Sequence, residues 1–416
     1  MNSNLLSDWL GYINSNRPDE GEFGLERLQK IFTKIVKKPL AKKSIIIGGT
    51  NGKGTTVEYL KNLFLNTNYK VGVYTSPHLI NFNERIQING KNIDDERIIE
   101  AFKEIESIKE ESRLTYFDYA TLAAFYIFSQ EQLDFVILEI GVGGKYDPVN
   151  LINADISIVT NIEMDHEKWL GNSLEEIGSQ KAAIFKQGKV AILGSEVMPK
   201  SITSKAHEVC SSVYQLGEGF IIQPLKGSWD YSFNGKDLNL KGLSNLSLNS
   251  ESAACALTAF KLLSKRDANY KEVITGTYLK GRCEVVDNFV LDVSHNPASV
   301  KNLIIFLQNN YKNQKFNAIF SSMSDKDIVS IIQEISDLIS EWSVCVIDDD
   351  RFNITNQELL IKDLTKKQAT VYDSVYSAVK KGYGEGAPQV VFGSFITVSE
   401  AYKAIDKIKN NSSEKN

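Results

Sequence analysis

The stretch Ser44–Thr56, SIIIGGTNGKGTT, gathers the residue types that hold a polyphosphate. Glycines at 48, 49 and 52 let backbone N–H groups converge on phosphate oxygens, because glycine reaches backbone angles closed to other residues. Lys53 is long enough to reach terminal phosphates, and Thr55 or Thr56 offers a hydroxyl to phosphate or metal. The common phosphate-loop pattern puts Ser or Thr directly after the lysine; here Gly54 intervenes. Other polar groups follow other apolar runs: Ser76 after Val71–Tyr74, Glu139 after Phe135–Leu138, His166 after Ile156–Thr160. Such a set suits Mg²⁺, which takes few protein ligands and fills its shell with phosphate and water. His78, His166 and His295 lie in loops after strand-like runs, whereas His207 stands in a polar helical stretch and is given no role.

Positioning these groups needs strands that end together. Ile45–Ile47 reads as a short strand, and Val57, Leu60 and Phe64 recur at helical spacing with Leu63 beside them. The loop therefore runs into a helix N-terminus, whose partial positive charge favours an anion. Asp94–Ile108 reads as a polar helix and Phe117–Phe128 as an apolar one, and both alternate with the apolar runs. Alternation of this kind implies a mainly parallel sheet, with ligands outside the carboxyl ends of its strands. Ser76, Glu139 and His166 are then expected to meet the phosphate loop around one Mg–nucleotide.

Residues 1–43 read as a helical preamble. Leu5, Trp9, Leu10 and Ile13 form one face, Leu25, Leu28, Ile31, Phe32 and Ile35 another, with a loop at Arg17–Gly21. Short strands are expected at Phe220–Pro224, Trp229–Phe233 and Leu238–Leu240, then an alanine-rich helix at Ser252–Leu263. A second alternating α/β unit begins near Gly281 and runs to the C-terminus, and polar Asn410–Asn416 is expected to be disordered.

Composition narrows the class. A hydrophobic content of 42% and a charged content of 24% over 416 residues fit a globular chain of two or three domains. A net charge of −5 argues against a nucleic-acid partner held by bulk basic charge. No apolar run reaches the ~18 residues of a membrane span, and no secretion signal is evident in MNSNLLSDWLGYINS. Cys210, Cys255, Cys283 and Cys345 lack CxxC spacing and read as reduced packing thiols of a cytoplasmic protein.

Six motifs in order give the chain a family resemblance. GTNGKGT (Gly49–Thr55), SPHL with NERI (Ser76–Leu79, Asn83–Ile86), LEIGVGGKYD (Leu138–Asp147), DH…LG (Asp165–Gly171), GR (Gly281, Arg282) and DVSHNP (Asp292–Pro297) resemble folylpolyglutamate synthase/dihydrofolate synthase, of the Mur ligase superfamily. The resemblance runs from about Gly24 to Ser394. It implies an α/β fold: an N-terminal P-loop ATPase-like domain over residues 1–280, with a mainly parallel sheet, and a smaller Rossmann-like C-terminal domain over residues 281–416. It also implies that ATP phosphates lie on Gly49, Thr50, Asn51, Gly52, Lys53, Gly54 and Thr55, and that Mg²⁺ is held by Ser76, Glu139 and His166. Arg282, Asp292 and His295 match residues that close over ATP, Asp147 an acid on the pterin side of the folate site, and His295 and Ser394 the glutamate side. Lys181 matches a lysine that the family often carries as a carbamate, suited to a second metal or a buried hydrogen-bond network. Lys53, His166, Lys181 and His295 make up the implied catalytic set. Gly24–Arg27 and the Arg17–Gly21 loop are further candidates for the pterin wall.

The chain also departs from the family pattern. Leu248–Ser252 stands where an adenine-contacting His-Gln pair and Asn are usual, so no adenine contact is assigned. Gln180 replaces the usual Glu before the lysine, and Lys145-Tyr146-Asp147 keeps the carboxylate while a Lys replaces the planar fork of Arg.

The expected activity is ATP-dependent ligation of L-glutamate to dihydropteroate and to reduced folates through an acyl phosphate. The expected form is a monomer, with neither nucleic acid nor membrane as partner and a site in the cleft between its two domains. Alternatives are a single-function folylpolyglutamate synthase, a cell-wall precursor ligase of the same superfamily, and a non-enzymatic nucleotide switch. A phosphate loop beginning by residue 48 leaves little room for the N-terminal domain usual in cell-wall ligases. The second α/β unit, with its own polar strand-end loop, argues against a switch.

Overall fold

The computed structural model describes residues 3–16, 24–245 and 247–413. It divides into two compact units, one of residues 1–245 with 249–277 and one of residues 246–248 with 278–416.

The first unit opens with helices α1 (Leu6–Ser15) and α2 (Leu25–Ile35). Leu6, Trp9 and Ile13 form the buried stripe of α1, so the inward position at its start belongs to Leu6; the expected Leu5 is 62% exposed. The loop expected at Arg17–Gly21 falls on residues outside the described ones. The chain then alternates as expected: β1 (Lys43–Gly48), α3 (Lys53–Asn66), β2 (Val71–Tyr74), a hairpin of β3 (Ile86–Ile88) and β4 (Lys91–Asn92), α4 (Asp95–Ile108), α5 (Tyr116–Ser129), β5 (Phe135–Glu139), β6 (Ile156–Val159), α6 (Glu167–Leu170), α7 (Leu174–Ala182), β7 (Val190–Leu193), α8 (Lys200–Val209) and β8 (Ser212–Gln215).

These strands form one sheet in the order β4-β3-β2-β5-β1-β6-β7-β8. All neighbours from β2 to β8 are parallel; only the β3–β4 hairpin at the edge is antiparallel to its neighbours. Ile45, Ile46 and Ile47 are fully buried, because a parallel strand covered by helices on both faces must be apolar throughout. A small antiparallel sheet follows, β9 (Ile221–Leu225), β10 (Ser228–Phe233) and β11 (Leu238–Leu243), then α9 (Ser250–Leu263) and α10 (Tyr270–Gly276). Asn249 caps α9 by accepting from Ser252 N–H.

The second unit is a six-stranded sheet of β12 (Glu284–Val286), β13 (Phe289–Leu291), β14 (Phe316–Phe320), β15 (Ile339–Cys345), β16 (Ala369–Tyr372) and β17 (Gln389–Phe392), in the order β12-β13-β17-β14-β15-β16. Only β12 is antiparallel to its neighbour. Helices α11 (Pro297–Asn310), α12 (Ile328–Ile335), α13 (Ile354–Thr365), α14 (Val375–Glu385) and α15 (Phe395–Ser413) complete the unit. Of the stretch Asn410–Asn416 expected to be disordered, residues 410–413 form the end of α15, helical hydrogen bonding there outweighing the polar composition, and residues 414–416 fall outside the described ones. No helix among the described residues is long and apolar enough to cross a membrane.

Candidate active site

Four adjacent parallel strands, β2, β5, β1 and β6, deliver the sequence-derived groups to one edge of the first sheet. Register aligns Tyr74 with Leu138, Ile47 with Glu139, and Gly48 with Val159. Ser76 lies two residues past β2, Glu139 is the last residue of β5, and the phosphate loop leaves β1. The Asp165–His166 loop follows β6.

The phosphate loop is braced from the side of β6. Thr50 N–H donates to Asn161 O at 2.9 Å, Asn51 N–H to Asn161 Oδ1 at 2.8 Å, and Thr160 Oγ1 to Asn51 O at 2.7 Å. Gly49 has φ +132°, and a Cβ there would sit 1.9 Å from Thr160 Oγ1, so only glycine fits. Ser252 Oγ supports the loop from below by donating to Gly52 O at 3.1 Å. Sequence reading missed Thr160, Asn161 and Ser252 as loop supports; the only signal was their place after β6 and at the start of α9.

Lys53 is the first residue of α3 and is half-buried. Its Nζ donates to Gly49 O at 3.2 Å and to Thr50 O at 3.1 Å. Of the two threonines left open by sequence, Thr56 spends its hydroxyl on Gly52 O at 2.9 Å and is fully buried. Lys181, near the end of α7, reaches the same loop, its Nζ donating to Gly49 O at 2.8 Å. Burial first, and the charge of Lys53 second, bring its amine down to about 7.

Ser76 N–H donates to Glu139 Oε2 at 3.2 Å, so these two groups are brought together. Glu139 is buried. His166 stands in the left-handed region (φ +53°) at the start of α6, its N–H donating to Asp165 Oδ1 at 2.8 Å. Among the described residues no three His, Cys, Asp or Glu side chains form a metal-holding group. A hydroxyl, a carboxylate and an imidazole at one sheet edge nevertheless fit a Mg²⁺ that takes most of its ligands from phosphate and water.

Asp147 is buried and its carboxylate shapes the glycine loop after β5. Oδ2 accepts from Gly141 N–H at 2.8 Å and Val142 N–H at 3.3 Å, and Oδ1 from Val149 N–H at 2.9 Å. Desolvation outweighs these bonds and pushes the group up to about 7. Gly141 has no room for a side chain: a Cβ would lie 2.6 Å from Cζ of Phe117, so that ring lies directly on the loop.

In the second unit, Arg282 and His295 both face Phe395, with the guanidinium carbon 5.5 Å and the imidazole centroid 6.1 Å from the ring centroid. His295 Nδ1 lies 2.9 Å from Val293 O. Asp292 is buried and accepts from Cys283 N–H and Ser294 N–H, both at 2.8 Å, so it builds its own loop. Ser394 Oγ accepts from Thr397 N–H at 3.0 Å, ahead of α15.

Comparison with known proteins gives the family. Residues 47–219 match the Mur ligase middle domain, and residues 281–395 the Mur ligase glutamate ligase domain. The chain is 33% identical to the dihydrofolate synthase/folylpolyglutamate synthase of Escherichia coli, over 96% of each chain. The chain belongs to the dihydrofolate synthase/folylpolyglutamate synthase family of Mur ligases. Its fold agrees: the structure of E. coli FolC in complex with DHPP and ADP superposes with a TM-score of 0.92 at 31% identity, covering 98% of this chain and 100% of that one. The bifunctional folylpolyglutamate synthase/dihydrofolate synthase of Yersinia pestis, complexed with AMPPNP and a Mn ion, gives 0.89 at 30% identity, with 98% and 100% covered.

Proposed function

We propose that this family member is an ADP-forming ligase that adds L-glutamate to dihydropteroate and to reduced folates. The observation that carries the reading is the sheet edge where the Gly49–Lys53 loop, Lys181, Ser76 and Glu139 meet. It offers backbone donors and the Lys53 ammonium for phosphates, and oxygen ligands for Mg²⁺ beside them.

The γ-phosphate passes to the substrate carboxylate, giving an acyl phosphate and ADP. The amino group of glutamate attacks the acyl carbon, loses a proton, and inorganic phosphate leaves with the C–O bonding pair. Phosphorylation turns a poor leaving oxygen into a good one. The protein's part is to orient reactants and offset phosphate charge. Gly49 to Thr55 hold the phosphates, with Lys53 on the terminal ones. Mg²⁺ held by Ser76, Glu139 and His166 would neutralise phosphate charge. Lys181, as a carbamate, would supply an oxygen ligand or anchor a buried network. Asp147 and Phe117 shape the pterin side, a flat ring above a fixed loop. In the second unit, Arg282 and His295 are the groups assigned to nucleotide and glutamate, while Asp292 and Ser394 hold their loops in shape.

Its site of action is the cytoplasm and its form a monomer; the four unpaired cysteines agree with a reducing compartment. The deciding experiment measures ADP release with ATP, L-glutamate and one acceptor at a time. Release with dihydropteroate and with a reduced folate is expected. Release with the reduced folate alone would make the enzyme a single-function folylpolyglutamate synthase, and release only with a muramyl acceptor would overturn the folate reading.

A further inference from the structure

Asp118 is a buried carboxylate close to the folate side that the reaction leaves without a task. It sits in the first turn of α5, next in sequence to Phe117. Its Oδ2 accepts from Thr115 N–H at 2.9 Å, and Thr115 Oγ1 accepts from Asp118 N–H at 3.0 Å, a reciprocal cap that fixes the start of the helix. The same Oδ2 receives Arg27 Nη2 at 2.9 Å, with the Asp118 side chain 5% and the Arg27 side chain 21% exposed. The other arm of Arg27, Nη1, donates to Arg113 O. One guanidinium thus ties the first turn of α2 both to the first turn of α5 and to the chain entering it.

The consequences follow α2. At its far end, Phe32 packs edge-on against Phe125 of α5, with centroids 5.6 Å apart. The helix also lies against the 3₁₀ turn Pro148–Leu151, which Asp147 caps. α2 therefore touches both elements that flank the Gly141 loop: α5, which carries Phe117, and the turn after Asp147. The carboxylate of Asp118 is near enough to Asp147 for its charge to oppose ionisation there. Arg27 pairs with the Asp118 carboxylate and so offsets that charge.

We propose that the Arg27–Asp118 ion pair is a positioning device for the pterin side of the site, locking α2 onto α5 so that Phe117 and the Asp147 loop keep the spacing of a flat ring. The proposal rests on the folate-ligase reading. Neither residue touches the reacting atoms. The pair's bonds run to Arg113 O and to Thr115, none of them to the phosphate loop, so its loss should separate pterin binding from nucleotide turnover.

The test uses the full-length enzyme, with Arg27→Ala, Arg27→Lys and Asp118→Asn, and steady-state kinetics in which dihydropteroate and ATP are varied separately. Removing a desolvated charge-assisted bond should raise KM for dihydropteroate about tenfold in Arg27→Ala, with KM for ATP within about twofold of wild type. Arg27→Lys should recover part of the loss, since an ammonium reaches Asp118 but lacks the fork that also holds Arg113 O. Asp118→Asn keeps the shape and the capping oxygen but removes the charge that Arg27 pairs with, so it decides the matter if Arg27→Ala does not fold: KM for dihydropteroate should rise with KM for ATP unchanged, and an unchanged KM for dihydropteroate would overturn the proposal. A folded Arg27→Ala enzyme with unchanged KM for dihydropteroate, or a parallel rise in both KM values, would overturn the proposal. Failure of the underlying reading looks different, because wild type itself would then turn over neither dihydropteroate nor a reduced folate.

Discussion

Lys53 and Lys181 donate to one acceptor: the carbonyl oxygen of Gly49 lies 3.2 Å from Lys53 Nζ and 2.8 Å from Lys181 Nζ. They come from opposite directions in the chain, one opening α3 and one closing α7. Two ammonium groups this close repel, and the more buried of them, Lys181, is the one driven towards neutrality.

Replacing Lys53 should stop phosphate chemistry without unfolding the protein. Its ammonium bonds the loop carbonyls of Gly49 and Thr50, so Lys53→Ala should lower ADP formation by about a hundredfold or more, the scale of losing a charge aimed at the transition state. Circular dichroism and thermal melting should match wild type. Normal turnover in a folded variant would remove the phosphate-loop assignment.

Glu139 and Glu84 should part company. Glu84 gathers the N–H groups of Leu79, Ile80 and Asn81 at 2.7 to 3.1 Å, which makes it a loop support. Glu84→Ala should cost about 2 kcal/mol of stability, read as a lower Tm, with activity partly kept. Glu139→Ala should abolish Mg²⁺-dependent turnover at near-normal Tm. Metal-independent turnover, or an active Glu139→Ala enzyme, would contradict the ligand assignment.

For Lys181 the sign is set by a folded value of about 7 against the usual 10.5. Between those values the unfolded chain keeps a proton that the folded chain has released. Stability from this group therefore rises with pH from about 7 to 10.5, and the burial penalty is full only below about 7. In CO₂-free buffer, the stability gain of Lys181→Met over wild type should be largest near pH 6 and shrink towards pH 9. A neutral amine is also the form that adds CO₂. Crystals of active enzyme grown with bicarbonate should show carbamate density on Lys181, and acetate should restore some activity to Lys181→Ala. A bare lysine in a sharp map of active enzyme would refute the carbamate.

Asp147 tests whether the two acceptors share one pterin position. Both reactions activate a carboxylate at the end of a pterin-bearing molecule, but at different distances from the pterin. Asp147→Ala releases Gly141 and Val142 from their fixed geometry. Dihydropteroate ligation should fall about tenfold more than glutamate addition to a reduced folate, as expected when a charge-assisted network is lost on one binding register. Equal loss would reduce Asp147 to a general loop support.

Local signals carried much of this protein. Glycine spacing and a following 3.6-residue period located the phosphate loop and α3. Unbroken isoleucine and valine runs located the buried parallel strands, because strands covered on both faces cannot alternate. Polar residues at or after the ends of those runs put Ser76, Glu139 and His166 forward as candidates, since strand ends are where a parallel sheet opens to ligand. Tertiary structure alone decided the rest. Strand order placed β2, β5, β1 and β6 side by side, although the paired strands β1 and β6 are separated by 107 residues of chain, 49–155. It also brought Lys181 to the Gly49 carbonyl and Arg27 to Asp118, 91 positions away. No periodicity encodes such pairs. A buried charge finds its partner only when packing removes water from around it, and the sequence shows the charge without showing the burial.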